Sequence, residues 1–340
     1  NKYTTAHQHG GQLCMSNEAM RKQYAANIIA YAKAEPSVRT FGMSANDGGG
    51  FCECEPCEAW DTPRDEWTEA AKNSTSLYLT DRTLKFQRDV AQRVLREIPD
   101  ARFQYAAYHT SAVPPVREQV PDEFDLIGYY NYWPYRFLID KDRAMVEDSL
   151  KGWGEKTSHY FLSTFYLGYG NYGLPWSTPA SVAWLIDEAR KNRFEGLLLY
   201  VSHLDPSKST TDVGRPEVGA RGGDIWVLSQ LAWDPTLDAS ELYDEFYAGC
   251  FGPEAGEYVR GYFETLDRFM SDEIKKMPGF RRGIAHNQRK ITEAGLAAAR
   301  EACAEWIRLA TEAASSQDER YRWRVAQIAT NWRYAELTLD

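Results

Sequence analysis

The chain has 340 residues and a formal net charge of −10, with 43% hydrophobic and 26% charged residues. Those figures describe an ordinary globular protein long enough for a sizeable core. They exclude a nucleic-acid surface, because phosphate binding needs clustered Lys and Arg and no long basic run occurs; no stretch reaches the ~18 uncharged apolar residues of a membrane span.

In chain order, residues 17–34 read as a helix with Ser16 or Asn17 as N-cap, ending before Pro36. Residues 4–13 would add a strand ahead of it. Strand-like runs follow at 39–45 (RTFGMSA), 102–109 (RFQYAAYH), 124–133 (FDLIGYYNYW), 160–167 (YFLSTFYL) and 194–203 (FEGLLLYVSH). Helical periodicity lies between them at 80–98, 142–153 and 179–192, the last with Thr178 as N-cap and Pro179 at its first position. Residues 206–223 (PSKSTTDVGRPEVGARGG) are polar and Gly-rich, and read as a long loop of lid or substrate-loop type. From Leu237 onward only helices are expected, at 240–247, 253–270, 292–314 and 319–337. The expected division is a β/α portion over 1–236 and a helical region over 237–340, the latter a stabilising cap or a separate binding module.

Strand–helix alternation predicts a parallel α/β sheet. The glycines after the first strand run into Phe51 and Cys52, not into a helix, so the dinucleotide-binding form of the open sheet is disfavoured. Several strands end instead in polar or aromatic residues: Asn46-Asp47, His109, Asn131-Tyr132-Trp133, Tyr166 and His203. Such residues mark the catalytic mouth of a (β/α)8 TIM barrel. Five or six strands fall short of the barrel's eight: either the fold is open or the first strands lie upstream of Asn1, and the second is the expectation. The start at Asn1 rather than Met fits a processed or trimmed chain, so localisation is not read from the N-terminus; export to the periplasm, cell surface or medium is the expected localisation.

Aromatic residues make up 14% of the chain, with 11 Trp and 21 Tyr. Rings with polar tips stack on sugars and bond their hydroxyls, so a carbohydrate partner is expected; an aromatic-rich core is the alternative. Substrate-binding candidates at the mouth are His109, Tyr130, Tyr132, Trp133, Tyr166, Trp176 and His203; for the histidines a structural hydrogen bond is the competing role. His7 and His9 share a face if residues 4–13 form a strand.

The densest chemistry lies in SANDGGGFCECEPC, residues 44–57. Asp47 at a strand end is the candidate catalytic acid and Asn46 a hydrogen-bonding partner to the same sugar; a turn-capping Asp is the competing reading. No second acid stands cleanly at another strand end, which favours assistance by a substrate acetamido group if the protein is a glycosidase. Cys52, Cys54 and Cys57, with Cys14 as fourth partner, fit either a structural Zn2+ site, a disulfide in an exported protein, or free thiols. No cofactor is expected for catalysis itself. Cys250 and Cys303 read as small buried hydrophobes.

This run, with QLCMSNEAMRK before it and LAWDPTLDASELYDEFYAGCFGPEA after the strands, resembles the bacterial family catalogued as domain of unknown function 4838, part of which forms glycoside hydrolase family 163. The resemblance covers residues 11 to 262. It implies a (β/α)8 barrel entered near its fourth strand, a helical C-terminal region, and endo-β-N-acetylglucosaminidase activity on N-glycans by substrate assistance, with Asp47 in the acid's position. The last strand departs from that pattern, with Tyr200, Ser202 and His203 where a Glu is expected. A glycosidase of different sugar specificity and a non-catalytic carbohydrate-binding barrel are the alternatives.

Overall fold

A computed structural model of the protein describes residues 11–46, 49–74, 77–130, 140–164, 179–199, 214–275 and 293–339. Its contacts divide the chain into two compact units, one of Asn1–Tyr130, Ala144–Ser163 and Asn192–Leu198, the other of Asn131–Arg143, Thr164–Lys191 and Leu199–Asp340.

The first unit is built on a sheet whose five strands lie in chain order: β1 (Thr40–Gly42), β2 (Arg102–Ala107), β3 (Phe124–Tyr130), β4 (Tyr160–Thr164) and β5 (Gly196–Leu199). It is a parallel sheet, and the protein is of mixed α/β class. Period-two alternation sets its faces: on β2, Phe103, Tyr105 and Ala107 are fully buried while Gln104 is exposed. Register places Phe41 beside Phe103 and Phe103 beside Phe124, and the rings touch in a row at centroid distances of 6.3 and 5.5 Å. Burying each such ring contributes ~2 kcal/mol. Arg102 and Asp125, diagonal to each other across the strand pair, form an ion pair at the start of β2 and β3.

Helices α1 (Glu18–Ala34) and α4 (Thr80–Leu95) pack on each other in this unit; between them lie the short helices α2 (Glu55–Glu58) and α3 (Glu69–Ser74). Asn17 is the N-cap of α1, its side chain accepting from the Met20 N–H at 3.0 Å. Helix α5 (Asp140–Gly154) ends on Trp153, fully buried, whose indole N–H donates to the Ala112 carbonyl at 2.9 Å and whose ring meets Tyr105 at 5.7 Å.

The second unit holds α6 (Pro179–Lys191), α7 (Gly214–Trp233), α8 (Ala239–Phe251), α9 (Pro253–Lys275), α10 (Glu293–Ala314) and α11 (Glu319–Leu339). The loop expected over 206–223 is corrected here: residues 214–223 belong to α7. Glycine density reads as loop in sequence, but Gly222 and Gly223 serve helix contact: a Cβ on either would stand 3.3 Å from the Phe246 ring of α8. Between α8 and α9, Gly252 takes φ +88° at the end of one helix and Pro253 opens the next, dividing the two roles as their backbones require. Close approach continues along α9. A Cβ on Gly256 would meet the Tyr247 carbonyl oxygen at 2.6 Å, and one on Gly261 the Trp306 ring of α10 at 2.8 Å.

Strand ends differ from expectation by a few residues. β1 spans only 40–42, not 39–45, and β2 stops at Ala107, so His109 lies beyond the strand in a one-turn 3-10 helix, His109–Ser111. Residues 11–13 are not strand; Cys14 stands in the turn that leads into α1.

Candidate functional site

Because β1, β2 and β3 are adjacent and parallel, the segments leaving their C-terminal ends emerge at one edge of the sheet. Asn46 follows β1, His109 follows β2, and Tyr130 closes β3. Three sequence candidates therefore share an edge. Asp47, Tyr132, Trp133, Tyr166, Trp176 and His203 lie outside the described residues, as do His7 and His9.

Asn46 is exposed but fixed. Its N–H donates to the Gln12 side-chain oxygen at 3.2 Å, its carbonyl accepts from the Gln12 amide nitrogen at 2.6 Å, and its own Nδ2 donates to the Gly11 carbonyl at 3.1 Å. The Gln12 side chain thus pairs with the main chain of Asn46 as a neighbouring strand would. One amide hydrogen of Asn46 is committed to Gly11, so the residue acts first as a fixture for the chain entering Asp47. Gly50, four residues on, takes φ +78°, a conformation that glycine adopts without strain.

The four cysteines come together as a cluster. The Sγ atoms of Cys14, Cys52, Cys54 and Cys57 all lie within 4.8 Å of one another, with Cys14 3.8 Å from both Cys54 and Cys57. All six cysteines of the chain are free thiols in the structure. Ser16 Oγ stands 3.1 Å from Cys57 Sγ and 3.6 Å from Cys54 Sγ. Hydrogen bonds from Ser16 and from the Cys57 main chain draw the Cys54 thiol down to about 6, whereas burial pushes Cys52 up to about 12 and also raises Cys57.

Helix α4 holds this loop from behind. Arg82, 3% exposed, donates through Nη1 to the Cys52 carbonyl at 2.7 Å and pairs through its other nitrogens with both oxygens of Asp61. One turn on, Gln87 Nε2 donates to the Met43 carbonyl at 2.8 Å, at the exit of β1. The Trp60 ring meets two cations, Arg21 from α1 and Lys85 from α4, each 5.1 Å from its centre. None of these anchors was expected. The available signal was the row Arg82–Phe86–Val90–Val94 at four-residue spacing, where a charge sits on an apolar stripe.

His109 is exposed, with φ +48° and its ring edge-on to Tyr108 at 4.0 Å. Non-glycine residues adopt that conformation rarely. Asp81 is the buried acid of the region, 2% exposed, and sequence reading passed over it. It accepts from the Thr62 hydroxyl, from Tyr78 OH at 3.2 Å, and from the N–H groups of Val116, Arg117 and Glu118 at 3.2, 2.9 and 2.7 Å. A carboxylate so fully bonded shapes the 110–118 segment and has no capacity left for a substrate.

The profile of the family described as domain of unknown function (DUF4838) matches residues 3–264. The chain belongs to the DUF4838 family. The match spans both the cysteine loop and the α8–α9 corner of this DUF4838 protein, the two segments carrying the most distinctive sequence. No curated protein matches the chain.

Proposed function

We propose that this DUF4838 protein is a glycoside hydrolase acting on N-acetylhexosamine-containing glycans, in the manner of an endo-β-N-acetylglucosaminidase. The substrate's acetamido oxygen attacks the anomeric carbon as the bond to the leaving oxygen breaks. Asp47, as the acid, gives its proton to the leaving oxygen; its carboxylate then takes a proton from the water that adds to the anomeric carbon and opens the cyclic oxazolinium intermediate, which restores the acid and frees the acetamido group. The observation that carries the reading is the fixture at Asn46. Three hydrogen bonds to Gly11 and Gln12 immobilise an exposed strand exit that has no core to stabilise, directly ahead of an acid. Such chemistry requires an acid held in place near a parallel strand's C-terminal end, and the fixed residue Asn46, four residues past the end of β1, is the one directly before Asp47. The in-order strand arrangement, without the reversal of a doubly wound sheet, supports a (β/α)8 barrel as the parent fold. His109 and Tyr130 at the same edge would bind the sugar, and an exported location suits a glycan substrate.

The test is turnover of N-glycans and aryl N-acetylglucosaminides by the wild type and by Asp47→Asn. The variant is expected to lose about 10²–10⁴-fold in kcat, and a thiazoline mimic of the cyclic intermediate to inhibit the wild type competitively. Unchanged turnover in Asp47→Asn would remove Asp47 from the mechanism. Sugar binding without turnover of any substrate would make the protein a carbohydrate-binding relative.

A further inference from the structure

The cysteine cluster has no part in the chemistry just described, yet it is the best-defined group of ligand atoms in the first unit. We propose that Cys14, Cys52, Cys54 and Cys57 bind one structural Zn2+ in an all-thiolate site that fastens the N-terminal turn to the loop after β1. A tetrahedron with zinc–sulfur bonds of about 2.3 Å has sulfur–sulfur edges of about 3.8 Å. The Cys14–Cys54 and Cys14–Cys57 separations are 3.8 Å, and the four sulfurs are mutually within 4.8 Å, which is one metal ion's coordination shell. A disulfide would bring one pair to about 2.05 Å and leave the other two sulfurs without a role.

The surroundings suit a metal thiolate. Main-chain N–H groups of Ser16, Cys54 and Cys57 and the Ser16 hydroxyl are directed at the sulfurs. Donors to sulfur are the outer shell that steadies thiolate ligands. Cys57 is fully buried and Cys52 nearly so, which closes the site to a catalytic water; four protein ligands fill it. Binding exchanges the protons still carried by the four sulfurs, released to solvent, for Zn2+. Each sulfur keeps its electron pair, and nothing is oxidised or reduced. The bound site carries two negative charges, and the Arg82 guanidinium is bonded to the carbonyl of one ligand residue.

The consequence reaches Asn46. Cys14 follows Gln12 by two residues, and Cys52 follows Asn46 by six. The ion therefore fastens both sides of the Gln12–Asn46 pairing, turning three exposed hydrogen bonds into part of a closed loop.

Elemental analysis of the full chain, expressed with zinc and purified without chelating resin, tests this directly. About one zinc per chain is expected, retained in Cys250→Ala and lost in Cys54→Ser and Cys57→Ala. Cobalt substitution should give the thiolate charge-transfer band and intense visible bands of a tetrahedral sulfur site. Should the Cys54 and Cys57 variants fail to fold, the wild type alone decides. Zinc below about a tenth of an equivalent, with all six thiols titrating or with two missing as a disulfide, overturns the proposal. Stoichiometric iron in place of zinc overturns it as well. These readouts are independent of turnover, so a protein with zinc and no glycosidase activity would leave the site standing and remove only the functional reading.

Discussion

At the scale of single residues, the first unit separates acids that build from acids that face solvent. Asp81 takes five hydrogen bonds in a site 2% exposed, three of them from consecutive main-chain N–H groups of the 116–118 segment. Removing the carboxylate strands those donors in a dry interior, where each orphan costs about 1–3 kcal/mol. Asp81→Ala is therefore expected to lower unfolding free energy by about 3–5 kcal/mol in urea titration; a loss under 1 kcal/mol would show that water replaces the carboxylate. Nothing in the local sequence marks Asp81, the second residue of α4, as a structural acid. What distinguishes Asp81 is its partners, and apart from Tyr78 these lie 19 residues before it and more than 30 after it in sequence. The cysteines were legible because C-x-C-x-x-C packs three ligands into a short span. Gln12 was not, because a glutamine mimicking a strand edge leaves no local pattern.

At the scale of elements, the helical unit is governed by how closely its axes approach. Gly256 on α9 lies against the main chain of α8, and its missing Cβ would stand 2.6 Å from the Tyr247 oxygen. Backbone cannot swing aside as a side chain can. Gly256→Ala is expected to destabilise the protein by about 1–3 kcal/mol. Gly249, within α8, has nothing within 4 Å of its Cβ position. There the substitution to Ala should stabilise by about 0.5–1 kcal/mol, because helix interiors disfavour glycine. Thermal melts of the two single variants should thus shift in opposite directions; shifts of the same sign would refute the close-approach account. The same physics explains the misread segment at 214–223. A sequence shows that glycine lowers helix propensity, but not that Phe246 comes to 3.3 Å and makes the absence of a side chain useful. Helices with a clear signal, the Asn17 cap of α1 or the apolar stripe of α4, were legible over nearly their whole length.

At the scale of the molecule, the two units differ in how far their partners lie along the chain. Pairing β1 with β2 brings Thr40 to Arg102, with α1–α4 and the cysteine loop to be arranged around it. By contrast α8 and α9 meet across the single Gly252–Pro253 corner, and α9 packs against the next helix in sequence, α10. Strand–helix alternation announced a parallel sheet, while its in-order arrangement was invisible beforehand, because order is decided only when each strand finds its neighbour. Loop closure must be completed before distant contacts repay it, so local helical pairs form first and parallel strands late. Pulsed hydrogen exchange during refolding should therefore protect amides of α8 and α9 before those of β1 and β2. Adding zinc at the start of refolding should advance the β1-side loop relative to β2–β3, since the ion would close the span from Cys14 to Cys57 early. Simultaneous protection of helices and strands would mean that the sheet nucleates folding, and would overturn the ordering drawn from chain distance.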